Sequence, residues 1–357
     1  MKILICPLDW GLGHAARDVA IIQGLQDAGH EVILAGDGGT LELLRSEFPK
    51  LENIRFPSLV RIRYSSHIPA WLKITLLSPL LLYEVFTEHF RLGTIIRQLQ
   101  PDIVISDNRY GLWNRKVRSI LVSHQLSIRL PQFARFLEYP VYHVLRMFIG
   151  KFDQCWIPDF PEENNLSGNL SHHYPLPGNA VFIGVISRFS GSYQASEARD
   201  VTPPELLILL SGPEPQRSIL QKIVLKQVLS LKTRCVILQG LPGKSRRTDL
   251  SPTVTMYNHL PSAELKHLLL SAGCVICRAG YTGIMDLAIM QKKALIIPTP
   301  GQTEQEYLAE YLSDRAIFLT CKQDDLDIES ALEDLNAFEP ELELPGRDLL
   351  TEVIRKM

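Results

Sequence analysis

A histidine behind a glycine loop, Gly11-Leu12-Gly13-His14, is the first group in this chain that can do chemistry. Glycines let the backbone turn tightly and approach a ligand. An imidazole at the positive end of a helix tends to stay neutral and able to take a proton. The competing reading is a helix-start histidine that only bonds its neighbours. Asp107, closing an apolar run, is a reserve candidate for the same role. A second stretch, Ser211-Gly212-Pro213-Glu214-Pro215-Gln216-Arg217, joins a strand to a helix, where backbone N–H groups can hold phosphate. Its two prolines remove two of those donors, leaving Ser211, Gly212 and Arg217 as contacts. A third, Arg278-Ala279-Gly280-Tyr281-Thr282-Gly283, also follows a strand and opens a helix. Thr282 is placed to cap that helix while free N–H groups face a diphosphate, and Asp286 lies one turn on, suited to ribose hydroxyls. A polar loop, Pro298 to Glu306, then offers Gln302 and Gln305 to the hydroxyls of a sugar. One loop for phosphate beside one for sugar describes a nucleotide-sugar site.

The elements that must position these loops read as alternating strands and helices, twice over. Strands are expected at Lys2–Cys6, Glu31–Ala35, Ile103–Ser106, Ser119–Val122 and Gln154–Ile157, with a helix from about His14 to Ala28. The pattern lapses between Ser187 and Pro204 and restarts with strands at Glu205–Leu210, Arg234–Leu238, Gly273–Cys277 and Ala294–Ile297. Short β-branched runs separated by helices imply parallel sheets. The fold class expected is α/β, with two doubly wound Rossmann-like domains facing a cleft: residues 1–186 on the acceptor side, a linker over 187–204, and a donor domain over 205–357 whose last helix packs back on the first. Ligands bind such sheets at the carboxyl ends of the strands, where the loops above fall.

The bulk numbers fit this plan. With 357 residues, 46% hydrophobic and 21% charged, the chain can bury two cores. A formal charge of -2 gives no general case for nucleic acid. The charge is uneven: Arg55 to Lys151 holds fourteen Lys/Arg against five Asp/Glu. That basic stretch also holds the most apolar segments, Ile68–Leu82 and Phe133–Ile149. Basic residues mixed with aromatics and leucines suit an anionic membrane surface, or else the helices simply cover the first sheet. Six scattered cysteines, no signal peptide and no spanning segment point to a reduced, cytoplasmic protein, peripheral on the inner membrane face under the membrane reading. Cys274-x-x-Cys277 sits inside an apolar run, which speaks against a redox or zinc role. The lone Asp325-Leu326-Asp327 triplet lies in an acidic stretch rather than after a strand, so no metal is expected.

From Asn258-His259-Leu260 through Gln305 the chain resembles the donor-binding half of glycosyltransferase family 28, whose members include the lipid II-forming N-acetylglucosaminyltransferase and the monogalactosyldiacylglycerol synthases. The Gly-x-Gly-His loop resembles that family's amino-terminal glycine loop. The resemblance implies the GT-B architecture and a set of roles. Leu260 would lie at the uracil; Gly13, Ser211, Gly212, Gly280, Thr282 and Gly283 would line the diphosphate. Asp286 would hold the ribose, Gln305 would read the sugar and His14 would be the base. His124 and Gln125, in Ser123-His124-Gln125, would face the acceptor. Three departures bear on the sugar: Asp286 stands where Glu is usual, Glu306 where a second Gln is common, and Ala309 where Asn is usual. The expected function is therefore metal-independent, inverting transfer of a hexose or N-acetylhexosamine from a UDP-sugar, the donor being a substrate with no separate cofactor, to a sugar or lipid-linked acceptor. Two rivals stay open: a UDP-sugar epimerase on the same architecture, and an NAD(P)-dependent oxidoreductase using Gly11-x-Gly13. Four residues, Pro7–Trp10, separate the first strand from Gly11, against the tight turn a dinucleotide fingerprint needs.

Overall fold

The computed structural model describes residues 1–60, 70–190, 203–241 and 246–357, and for 70–75 the backbone alone. They fall into two compact units, one of residues 1–60, 71–188 and 344–357, the other of 189–190 and 203–343. Residues 191–202 of the expected linker lie outside the described residues.

The first unit is a seven-stranded parallel sheet. Its strands are β1 (Lys2–Pro7), β2 (Glu31–Gly36), β3 (Asn53–Arg55), β4 (Ile103–Asp107), β5 (Arg118–Val122), β6 (Gln154–Ile157) and β7 (Ala180–Phe182), in the order β3-β2-β1-β4-β5-β6-β7. Each central strand is an unbroken apolar run because helices cover both faces of a doubly wound sheet. Helix α1 (Leu12–Asp27) buries Ala15, Val19 and Ile22 and ends before Gly29, whose positive φ of 77° suits the turn into β2. Helix α2 (Gly38–Glu47) follows β2, and the long α3 (Ala70–Leu99) lays Leu92 and Ile96 on Leu4, Ile33 and Val104. Helix α4 (Glu138–Ile149) seals the β5–β6 side through Ile149, against Leu121 and Cys155. A single short turn of helix, α5 (Asn169–His172), precedes β7. The strand order reverses between β1 and β4, so the loops after these two strands form the switch point.

The second unit repeats the plan. Strands β8 (Leu206–Leu209), β9 (Cys235–Leu238), β10 (Arg247–Asp249), β11 (Val254–Tyr257), β12 (Cys274–Arg278), β13 (Ala294–Ile297) and β14 (Leu319–Thr320) lie in the order β10-β11-β9-β8-β12-β13-β14. All pairs are parallel except the edge pair β10–β11. Helices α6 (Gln216–Val228), α7 (Ser262–Ser271), α8 (Tyr281–Ile289), α9 (Thr303–Asp314) and α10 (Ile328–Ala337) flank it. Here the switch point lies between β8 and β12. The last helix, α11 (Leu349–Arg355), belongs to the first unit and packs on α1.

Cys274 and Cys277 both lie in the buried strand β12 as free thiols, and burial pushes Cys277 up to about 12. Asp327 of the acidic triplet is the N-cap of α10, accepting the N–H groups of Glu329 and Ser330.

Candidate functional site

In the first unit the switch point gathers a buried polar cluster. The N–H of Leu8 donates to the Asp107 carbonyl, tying the loop after β1 to the end of β4. Helix α1 then begins at Leu12, with Gly11 as its N-cap and Gly13 inside the first turn. His14 follows with its side chain 19% exposed, its Nδ1 3.0 Å from Asp107 Oδ1. One turn on, the Arg17 guanidinium donates through Nε to Asp107 Oδ2 at 2.6 Å and through Nη2 to Oδ1. Arg17 Nη1 lies 2.9 Å from His124 Nδ1, in the loop after β5. Gln125 beside it is half-buried, its N–H on Ser123 Oγ.

Burial alone would raise the Asp107 carboxyl, but Arg17 and His14 hold it well below the usual carboxylate range. Asp107 is fully buried and engaged by both His14 and Arg17. Asp18, next on α1, is also fully buried, and neither of its carboxylate oxygens finds a hydrogen-bond partner. Burial, and then the charge of Asp107, push its pKa well above the ordinary value, while Arg17 pulls the other way. Arg17 and Asp18 escape a motif search. Their signal is two charged residues set among Ala15, Ala16, Val19 and Ala20, on a helix that the sheet buries.

In the second unit three loops converge above the strand ends. The loop after β8 exposes Ser211 and Gly212, the latter at φ 96°. A Cβ on Gly212 would sit 3.7 Å from Thr299 Oγ1, so this loop reaches the one after β13. Gln305 is the second tie: its Oε1 accepts the Thr299 N–H at 2.9 Å, and its Nε2 lies 3.9 Å from where a Gly280 Cβ would be. Gly280, rather than Thr282, is the N-cap of α8; Thr282 and Gly283 sit half-buried in its first turn. Asp286 is 6% exposed on the same helix, and Leu260 is buried in the loop between β11 and α7. Thr299 Oγ1 and Gln302 Oε1 are buried without a hydrogen-bond partner. Buried polar atoms are normally satisfied, so this pair is an exception at the strand ends.

Two arginines expected at the donor hold internal partners. Arg217 turns its guanidinium onto Glu214, with Gln221 Oε1 and the Gln239 carbonyl also in its shell. Arg278 is 2% exposed and donates to the carbonyls of Gln216 and Pro298 and to Gln323 Oε1. Burial pulls it down to about 10. It knits the loops together from beneath.

Comparison with known proteins places this arrangement. Residues 218–346 match the glycosyltransferase family 28 C-terminal domain. An uncharacterized glycosyltransferase of Methanosarcina acetivorans is 24% identical over 86% of this chain and 82% of its own length. A UDP-N-acetylglucosamine--N-acetylmuramyl-(pentapeptide) pyrophosphoryl-undecaprenol N-acetylglucosamine transferase of Methylobacterium sp. is 24% identical over 83% of this chain and 77% of its own. Among solved structures, the glycosyltransferase SnogD from Streptomyces nogalater superposes with a TM-score of 0.60 at 14% identity, covering 100% of this chain and 98% of that one. With a match to the family 28 C-terminal domain in the second unit and the fold of solved glycosyltransferases throughout, the chain is a glycosyltransferase with the GT-B fold.

Proposed function

We propose that the enzyme transfers a hexose or N-acetylhexosamine from a UDP-sugar to an acceptor hydroxyl, in one inverting displacement without a metal. The observation that carries this reading is the convergence of three strand-end loops in the second unit, where Thr299 and Gln302 hold unsatisfied polar atoms. The N-termini of α6 and α8, which follow the β8 and β12 strand ends, stabilise the diphosphate as it leaves. Asp286 takes the ribose hydroxyls, and the Gln302–Gln305 segment takes the sugar. His14 Nε2 removes the proton from the acceptor hydroxyl as the bond to the anomeric carbon forms, while Asp107 stabilises the imidazolium. Positioned general bases contribute ~10²–10⁴ in rate.

The test is calorimetry with UDP-, GDP- and dTDP-sugars on the native protein and on Asp286→Ala. UDP-sugars should bind best, and Asp286→Ala should weaken them by about 1.5–3 kcal/mol, the range for a hydrogen bond to a charged group. Preference for another nucleotide, or unchanged affinity in folded Asp286→Ala, would overturn the donor assignment. Conversion of the UDP-sugar without any acceptor would favour an epimerase.

For the acceptor, the first unit carries an exposed apolar surface. Leu76, Leu80, Tyr83, Phe86 and Phe90 recur at helical spacing along one side of α3, and Phe86 is 61% and Phe90 75% exposed. Phe136, at 75%, and Tyr139 and Met147 do the same at and beyond the start of α4, near exposed Arg135, Arg146 and Lys151. Trp71, Leu72 and Ile74 of the expected apolar segment have side chains outside those described, as residues 68–69 lie outside altogether. Aromatics in water beside exposed basic residues favour an anionic membrane surface at the cytoplasmic face, and with it a lipid-linked acceptor. No helix among the described residues is long and apolar enough to cross a membrane.

A further inference from the structure

Four arginines are buried among the described residues: Arg17, Arg109, Arg217 and Arg278. The first three each have a carboxylate. Arg17 pairs with Asp107, Arg109 donates through Nε to Glu88 Oε1 at 2.8 Å, and Arg217 turns onto Glu214. Arg278, 2% exposed, has no carboxylate partner among the described residues. Its hydrogen bonds go to neutral oxygens: the Gln216 carbonyl at 2.9 Å, the Pro298 carbonyl at 3.3 Å and Gln323 Oε1. Its Nε has no partner. A buried charge is normally paired, because leaving water costs it more than neutral dipoles return. Arg278 is a cation short of an anion. Its backbone ends β12 and runs into the N-cap of α8 at Gly280. Gln216 opens α6, and Pro298 opens the loop after β13. The guanidinium therefore lies beneath the meeting of the three strand-end loops.

We propose that Arg278 is a positioning residue whose charge is completed by the diphosphate of the donor, drawing that anion through space onto the N-termini of α6 and α8 from beneath. This rests on the reading of the second unit as a nucleotide-sugar site. Coulomb attraction needs no contact, and it is screened less inside a protein than in water. When the bond between the anomeric carbon and the β-phosphate oxygen breaks, its electron pair stays on that oxygen. The diphosphate then carries one more negative charge, so the same cation favours its departure. The nucleoside carries no charge for Arg278 to attract.

The experiment measures UDP affinity by calorimetry and uridine affinity by ligand-observed NMR, on the native protein, Gln323→Glu and Arg278→Met. Gln323→Glu is isosteric, keeps the acceptor that Arg278 Nη2 uses and gives the guanidinium an internal carboxylate. The Gln216 side-chain amide, which accepts from Gln323 Nε2, can turn to donate instead. This variant should weaken UDP by roughly tenfold or more, the size of a close ion–ion attraction, and leave uridine unchanged. Arg278→Met removes the charge and should do the same. A loss shared equally by UDP and uridine would make Arg278 only a tie between loops and overturn the proposal, because Asp286 stands on the helix that follows it. So would unaltered UDP affinity in folded Gln323→Glu. Should Arg278→Met fail to fold, Gln323→Glu still decides. A native protein that prefers another nucleoside diphosphate loses the UDP assignment alone, and the same comparison is then made with that nucleotide and its nucleoside.

Discussion

Burial and the neighbouring Asp107 charge raise the Asp18 carboxyl above its ordinary range, and stability should record that. Its folded pKa lies above the unfolded value of about 3.9. Its contribution is therefore fully present below that value and is lost as pH rises towards the folded pKa. Asp107 has the opposite linkage: its contribution is present above the unfolded value and is lost as pH falls towards its depressed folded pKa. Asp18→Asn is neutral at every pH and keeps Asp107 in place. The variant should gain on the native protein as pH rises above about 4, because only Asp18 has a proton to lose against its raised folded pKa. That advantage should shrink below about pH 4, where Asp18 is protonated in both states. Denaturant midpoints at several pH values would measure it, and a pH-independent difference between the two proteins would contradict the raised pKa. Little of this is legible in the sequence. The glycine loop flags His14, but its partner Asp107 lies 93 positions away, and only the strand order brings them together.

The elements were more legible than their contacts. Runs such as Lys2–Pro7, Gln154–Ile157 and Ala294–Ile297 are apolar and bounded by turn residues, so most strands of both sheets can be read directly. Strands β3, β7, β10, β11 and β14 and helix α2 escape that reading. Helix α2 opens on Gly38-Gly39, which depress helix propensity. Strand β10 is Arg-Thr-Asp, mostly exposed at a sheet edge, and β3 is only three residues long. The helix cap fell on Gly280 because Thr282 already has helical backbone, a shift that pattern alone does not resolve. Packing between elements is tested at Gly111, just beyond β4. A Cβ there would meet the Val85 carbonyl at 2.3 Å and Glu88 Cβ at 2.7 Å, both on α3. The backbone of a helix cannot swing aside as a side chain can. Gly111→Ala should destabilise the protein by about 1–3 kcal/mol, the usual cost of overpacking. A thermal or denaturant midpoint within error of the native one would show that α3 moves freely over the loop.

At the scale of the whole molecule, charge and apolar surface coincide in one unit. Each basic residue near an anionic bilayer adds about 1 kcal/mol, and the effect fades with salt. The protein should therefore sediment with anionic vesicles at low salt and be released at high salt. Phe86→Ser with Phe136→Ser should weaken binding at both, because neither residue is needed in the core at its present exposure. Absence of binding to anionic vesicles at low salt would leave a soluble acceptor.

Helix α11 gives the first unit a discontinuous chain. A Cβ on Gly24 would lie 2.9 Å from Ile354 Cδ1, so α1 and α11 meet at almost backbone range. Residues 344–357 reach that place only after the whole second unit has been translated. On the ribosome the second unit can therefore finish folding while the first still lacks a wall. During that interval the groove on α1 beside Gly24 stays uncovered, a surface that chaperones rather than this chain must shield.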